Sequence, residues 1–517
     1  MSSDKQERQG VQWIIPCLFF ASFLFIFQQI APGYLFGFSG AEVYGHAWTH
    51  SWRMLDFPHN FQGTDLTIGT RNFPAIDIIP SIISYLFGYN FLVIGSVLLA
   101  ACAGYYLSLE EEGNPWIGAA VLCFSPLFLS SIHSGLTEDM GIGLLVFALL
   151  FIKRYSVWGS VFLLLTAFSG LVLAWFGGIL AIAVSLRGLY TEKERRVQNF
   201  QKIIAMGAFA LVGILPLLWL HWERLTHKGH RFGHFFTEHE PFWALNPWKQ
   251  VDLASFLHAG TVDFSAEIFR LHPSYLGLSA LVISLFARSR FWWSIFVFFF
   301  FLSLGPSIHI QGLNSGIPNP ILNIVQLIPG YSLLNHHGRA LLPLLIAFSV
   351  LVAKGAKYLE SKISSLFLFL IVLLDLCLFS PIGAILPVVQ IPSDPILQEI
   401  EVGEGYLLRL PMVGEGISFQ EALLEQTIHK QALFLNPNRP GLDVLSPKHS
   451  ANSWIEDIGF PDRSLSVDIC IPPRIDAILV TKEYVQRVEG LLGEASRTSQ
   501  NYSLWEKKAL RNIRSCD

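Results

Sequence analysis

Apolar residues in this chain gather into runs long enough to cross a bilayer, and one soluble core could not hide so many of them. Such runs fall near 11 to 36, 90 to 107, 115 to 132, 139 to 153, 202 to 221, 274 to 288, 290 to 305, 338 to 356 and 364 to 388. The stretch 157 to 186 is too long for one crossing. Ser169 and Gly170 at its middle split it into a tight pair of short helices, because small residues let backbones turn and pack closely. The sum is about eleven crossings. Composition agrees, with 52% of the 517 residues hydrophobic and 14% charged. The 42 Phe and 14 Trp suit lipid-facing helices and interfacial belts. A net charge of -4 leaves no basic footprint for nucleic acid.

Orientation follows from Lys and Arg near the ends of the runs. The clusters Lys153/Arg154, Arg187/Lys193/Arg195/Arg196/Lys202, Arg288/Arg290 and Lys354/Lys357/Lys362 are expected on the cytoplasmic side. With the N-terminus also inside, the count closes only if residues 74 to 88, which contain Pro74, Asp77 and Pro80, form a re-entrant or interfacial segment. Four loops then lie outside: 38 to 89, 132 to 138, 222 to 273 and 306 to 337. Lys5 and Arg8 precede a first run that is too long for a signal-peptide core and has no clear small-x-small cleavage site, so it reads as a retained anchor. From about Pro392 the long runs stop. Tyr406 to Leu410 and Ala477 to Val480 read as buried strands, and Phe419 to His429 and Tyr484 to Leu492 as helices. The expected division is a multi-spanning domain over 1–391 and a small periplasmic α/β domain over 392–517.

Three groups of ionisable residues fall on the outer face. The first follows the anchor: Glu42, His46, His50 and Arg53 share one helical face, while Tyr44, Trp48, Trp52 and Leu55 share the other. Such a helix can lie flat at the membrane surface, aromatic side in the headgroups and ionisable side toward a cavity. The second is His133, Glu138 and Asp139, at the mouth of a helix. The third is His336, His337 and Arg339. Charges at membrane depth are costly and tend to mark substrate paths, so the groups together could bind an anionic lipid-linked substrate. Arg339 or a histidine would take phosphate, and a carboxylate would remove a proton.

Each has a plain structural reading beside it. Ser39-x-x-Glu42 matches a capping box, and Thr137, Glu138 and Asp139 suit a helix start where acids oppose the dipole. Arg339 can snorkel to the interface. Asp56 and Asp65 can be a second carboxylate near Glu42 or turn residues. His221, His227, His230, His234 and His239 lack a nearby Cys and form a weak metal motif. Cys470 and Cys516, in the polar tail, are the one pair placed to form a disulfide. No P-loop, strand-bound GxGxxG or nucleophile elbow occurs, so a donor carried on a membrane lipid fits better than a soluble nucleotide.

These residues carry a resemblance. One anchor helix, an external loop with an acid soon after it (Gly40-Ala41-Glu42-x3-His46-x-Trp48), about eleven crossings and an external α/β tail resemble the GT-C superfamily of integral membrane glycosyltransferases. Within it the chain looks like an uncharacterised bacterial branch. The stretch from Arg339 through an apolar helix to Gly355 is similar to theirs, as are Leu408-Arg-Leu-Pro411, Gln426-Thr-Ile-His429 and Arg474-Ile-Asp-Ala-Ile-Leu-Val480. The resemblance implies a GT-C-like fold, a polyprenyl-phosphate-linked sugar as co-substrate, an inverting transfer and a catalytic base in the first external loop. By position that base is Glu42, with Asp56 second. It also implies a multi-pass protein of the bacterial inner membrane. Many members have Asp where this chain has Glu, and no Asp-Glu or Asp-x-Asp pair is evident, which leaves the use of a divalent metal open. The rival functions are a transporter or flippase of lipid-linked material and a catalytically inactive scaffold. Transporters commonly show paired repeats and broken mid-membrane helices, whereas here ionisable residues crowd one face.

Overall fold

The structure, a computed structural model, describes residues 3–37, 78–133, 135–220, 251–257, 274–305, 307–311, 313–321, 337–401, 405–411 and 475–510, with scattered positions between 422 and 471 and Ile513. Two compact units emerge, one from Met1–Ala31, Ile76–Ile83 and Phe87–Val388, the other from Pro32–Ala75, Ser84–Leu86 and Val389–Asp517. The first is helical. In order it contains α1 (Ser3–Ile26), α2 (Ile78–Phe87), α3 (Tyr89–Glu110), α4 (Pro115–Phe124), α5 (Pro126–His133), α6 (Ile142–Lys153), α7 (Trp158–Ser169), α8 (Leu171–Thr191), α9 (Arg196–Leu220), α10 (Leu278–Ser284), α11 (Arg290–Ser303), α12 (Leu341–Leu359) and α13 (Ser365–Leu378).

Every expected apolar run carries helix, yet among the described residues only five helical stretches are long and apolar enough to cross a membrane: Tyr89–Glu110, Pro115–His133, Leu171–Thr191, Lys193–Leu218 and His337–Leu359. Breaks within several of the runs have local causes. The run 157 to 186 breaks at Gly170, whose extended backbone (φ -175°, ψ 118°) separates α7 from α8; the break lies where the small residues put it, and α8 is long. The expected crossing at 274 to 288 shrinks to the seven residues of α10, about 10 Å. A buried acid fixes where it begins: Asp375 of α13 accepts from Tyr275 Oη and from Ser279 N and Oγ, each at 2.5 Å. The run 115 to 132 divides at Ser125, in β conformation ahead of Pro126. Within the segment 74 to 88, α2 covers ten residues, about 15 Å, too short to cross, and hands over to α3 through Gly88 at φ 92°.

α12 is the centre of this unit, with 89% of its apolar stretch buried, whereas α9 is peripheral at 11%. Lipid tails are as apolar as these side chains, so close packing rather than water exclusion must hold the helices together. Small residues permit it. A Cβ on Gly143 would lie 2.8 Å from the Leu99 backbone, and one on Gly113 2.8 Å from Ala353 Cβ. Asn114 ties three segments: Oδ1 accepts from Trp116 and Ile117 N at 3.1 Å to cap α4, Nδ2 donates to Glu360 Oε1 at 2.6 Å and Ser365 Oγ at 2.8 Å, and its backbone N–H donates to Ala353 O at 2.9 Å.

The basic clusters do gather at one end of the unit. Around Glu111, just past α3, stand Lys153 of α6 at 2.8 Å, Arg187 of α8 at 3.1 Å, Trp292 Nε1 of α11 at 2.9 Å and Lys354 of α12, whose Nζ also donates to the Glu111 carbonyl. Arg187 also lies 4.7 Å from the centre of the Phe291 ring. Burial pushes the Glu111 carboxyl up, but bonds from Lys153 and Trp292 and the charges of Lys153 and Arg187 more than offset this, so it titrates below the usual carboxylate range.

The second unit holds a four-stranded sheet in the order β5-β6-β8-β7, from β5 (Tyr406–Leu410), β6 (Ile475–Thr481), β7 (Arg497–Thr498) and β8 (Tyr502–Glu506). β5 and β6 run parallel, and β8 is antiparallel to both β6 and β7. Both predicted strands are there, and the segment 484 to 492 is a 3-10 turn followed by α15 (Val485–Leu492), after α14 (Pro395–Glu399). Leu407, Ile478, Leu479, Val480, Val488 and Trp505 fill the core. Beneath it, Arg409 donates to Glu425 Oε1 at 3.1 Å, Tyr502 Oη to the same oxygen at 2.9 Å, and Gln431 N to His429 Nδ1 at 3.0 Å. Cys470 is buried and disulfide-bonded, while Cys516 lies outside the described residues. Earlier, β1 (Tyr34–Phe36) pairs with β4 (Val388–Gln390), and β2 (Ser307–Ile310) forms an antiparallel hairpin with β3 (Leu313–Pro318).

Removing the Glu111 carboxylate leaves three cations and an indole around an empty centre. Glu111→Ala should cost about 3–5 kcal/mol, as breaking buried ion pairs does. A clear drop in melting temperature of the detergent-solubilised protein checks it, and an unchanged melt would show that the cluster is not a structural centre. In the second unit, burial pushes the His429 imidazole down to about 3. Unfolded, it takes a proton near pH 6.5, so below that pH the unfolded state binds more protons and stability falls with pH by up to about 1.4 kcal/mol per unit. Hydrogen exchange at β5 and β6, corrected for intrinsic rates, should quicken from pH 6.5 to 4.5 in the wild type and much less in His429→Phe.

Candidate functional site

The site lies at the other end of the helical unit, where α6, α8 and α12 begin. α5 stops after His133, and Gly135 (φ 75°) reverses the chain, its N–H returning to Ile132 O at 3.0 Å while Leu136 N returns to Ser131 O at 2.8 Å. This leads into a 3-10 turn, Thr137–Gly141, that carries Glu138 and Asp139 and runs straight into α6. A second 3-10 turn, His337–Ala340, precedes α12 and carries Arg339. Both turns pack against α8.

Between them Arg339 Nη2 donates to Glu138 Oε1, in a pair whose side chains are 17% and 8% exposed. Asp139 is also buried and accepts from Ser131 Oγ at 2.9 Å. His133 is half-buried and His337 fully buried. α8 closes the third side: a Cβ on Gly170 would stand 2.6 Å from the Glu138 carbonyl oxygen, so only glycine lets the backbones meet there. Three helix N-termini therefore point into this end, each worth about half a positive charge. They suit the two acids, and they suit an incoming anion equally.

The structure thus joins the second and third groups of the sequence reading through one ion pair. Glu42, His46, Asp56 and His336 lie outside the described residues. The acids do occupy a helix start, as their plain reading has it, and one of them also holds Arg339. Among the described residues no cluster of three or more His, Cys, Asp and Glu could hold a metal ion; the histidines 221 to 239 lie outside them.

Two residues escape sequence reasoning. Asp252 and His309, both buried, meet in a parallel bridge beside the end of α11, where Val251 N donates to Ser303 O at 3.1 Å. The turn His337–Ala340 packs against the same helix. Asp252 caps a short 3-10 turn, with Ala254 N donating to Oδ1 at 2.8 Å. No spacing in the chain announces that it meets a strand beyond α11.

Gly170 offers a direct check of this packing. Gly170→Ala should push the Glu138 turn off α8 and lower the melting temperature. Gly178→Ala, in the same helix with nothing within 4 Å of the added atom, should be neutral or stabilising by up to about 1 kcal/mol. Equal melts for the two variants would contradict the close approach.

No protein-family model and no curated protein matches the chain. Among solved structures it is similar to the crystal structure of ArnT from Cupriavidus metallidurans bound to undecaprenyl phosphate, with 10% identity and a TM-score of 0.45 over 98% of this chain and 99% of that one. The apo state of ArnT from the same source matches with 11% identity and a TM-score of 0.42, over 96% and 98%.

Proposed function

We propose that the chain is a membrane glycosyltransferase that moves a sugar from a polyprenyl-phosphate carrier to a periplasmic or lipid acceptor. One observation carries this reading: a buried arginine–carboxylate pair sits where three helix N-termini meet, at the end of an apolar bundle opposite its basic cluster. That end favours an anion borne by a membrane lipid. Arg339, with His336 or His337, would take the carrier phosphate, and His46, His133, Glu138 and Asp139 would line the site. Glu42, with Asp56 second, would remove the acceptor proton. The acceptor oxygen then bonds to the anomeric carbon on the face opposite the phosphate, and the carrier phosphate leaves with the electron pair. The gathered basic residues support a cytoplasmic placement of their end and an external one for the site. The disulfide at Cys470 fits a C-terminal unit in an oxidising periplasm, as in a bacterial inner-membrane protein.

Glu42→Gln tests the chemistry, because glutamine can still fill the third position of a capping box but cannot accept a proton. In proteoliposomes supplied with polyprenyl-phosphate-linked sugars, mass spectrometry of the acceptor pool should show transfer reduced by about 10² to 10⁴, with folding intact. Undiminished transfer in both Glu42→Gln and Asp56→Asn would overturn the assigned bases. Labelled carrier lipid crossing the bilayer without any new glycosidic bond would replace the enzyme with a transporter.

A further inference from the structure

Arg339 is asked to hold a phosphate, yet its guanidinium already faces a carboxylate. We propose that Glu138 occupies, in the unloaded protein, the place on Arg339 that the carrier phosphate takes, so that loading exchanges one anion for another on the same guanidinium. The proposal rests on the phosphate role given to Arg339 above.

Three features support an exchange over a permanent brace. First, the two anions are chemically alike to a guanidinium: Arg339 Nη2 donates to one oxygen, Oε1, of Glu138, and a phosphate oxygen can accept the same N–H. Second, the partners are unequally covered. The Arg339 side chain is the more exposed of the two, at 17% against 8%, so the arginine is the more accessible partner to an arriving anion. Third, Glu138 would not be stranded once released. It stays in the turn that opens α6, pressed against the start of α8 at Gly170 and reached by Arg339 from the turn that precedes α12. Those three N-termini together carry about 1.5 positive charges and can hold a carboxylate that has lost its ion pair. Asp139 takes no part in the exchange, because it already accepts from Ser131.

The resident carboxylate also has a reason to exist. A bare guanidinium at the apolar end of the bundle is costly, and a built-in partner removes that cost whenever the site is empty. The consequence is competition. A ligand that must displace Glu138 binds more weakly than it would to an open Arg339, by the fraction of time that Arg339 is unoccupied.

Exchange and brace therefore predict opposite signs. Full-length protein in nanodiscs of neutral lipid, titrated with farnesyl phosphate, reads the difference. Under exchange, Glu138→Gln should bind about tenfold more tightly than wild type, the factor expected if Arg339 is open about one time in ten. Glu138→Asp, which keeps the charge but withdraws it by one methylene, should bind more tightly by a smaller factor and stands in if Glu138→Gln fails to fold. Arg339→Lys and Arg339→Ala should weaken binding, and Glu138→Gln added to Arg339→Ala should bring no gain, since the two act through one contact. Weaker or unchanged binding in a folded Glu138 variant, with binding still dependent on Arg339, would overturn the exchange and leave the phosphate role standing. Binding that ignores Arg339 altogether would remove the phosphate role, and the exchange with it.

Discussion

Glu111 is the charge on which the helical unit depends. It closes α3, it is buried, and cations from α6, α8 and α12 reach it together with an indole from α11. Buried ion pairs are poor sources of net stability, because desolvation cancels most of the attraction. Their value here is positional. Five segments that pack mainly through apolar surface could slide past one another with little change in packing. A single carboxylate with four partners fixes one register for all of them.

That register brings the C-terminal ends of α3, α6, α8 and α12 to one side. Four sets of unpaired carbonyls and the acids Glu110, Glu111 and Glu112 would make this end strongly negative. Lys153, Arg154, Arg187 and Lys354 answer them, Arg154 reaching Glu110 at 2.5 Å. The same alignment sends the N-termini of α6, α8 and α12 to the opposite end, where Glu138 and Arg339 meet. The polarity of the site therefore follows from the direction of the helices and is anchored by a residue about 16 to 24 Å away along them, counting residues from each start to Lys153, Arg187 or Lys354.

Much of this was legible in the chain. The positions of the apolar runs, the break at Ser169 and Gly170, the gathering of basic residues at one end and the strands around Leu408 and Leu479 all follow from local pattern, because each depends on residues close in sequence. The lengths of α10 and α4 did not follow, since they are set by Asp375 and by Pro126 acting within runs that hydropathy alone reads as continuous. The meeting of Glu138 with Arg339 could be expected only as a shared face. Its character as an ion pair depends on Gly170 admitting the Glu138 turn, and a glycine in an apolar run carries no sign of which backbone it will touch. Asp252 and His309 were invisible for the same reason.

The pairing of β1 with β4 sets a timetable. Tyr34 to Phe36 leave the ribosome early, but their partner strand begins at Val388, and the chain between them holds nearly every helix of the membrane unit. At 5–20 residues per second, the roughly 350 residues that separate the strands take about 20 to 70 s to synthesise. During that interval β1 has no strand to pair with, and the sheet can close only after α13 has been made. Closure of this sheet thus waits for nearly all the helices of the first unit, and a chain stalled anywhere before Val388 would carry an unpaired strand edge.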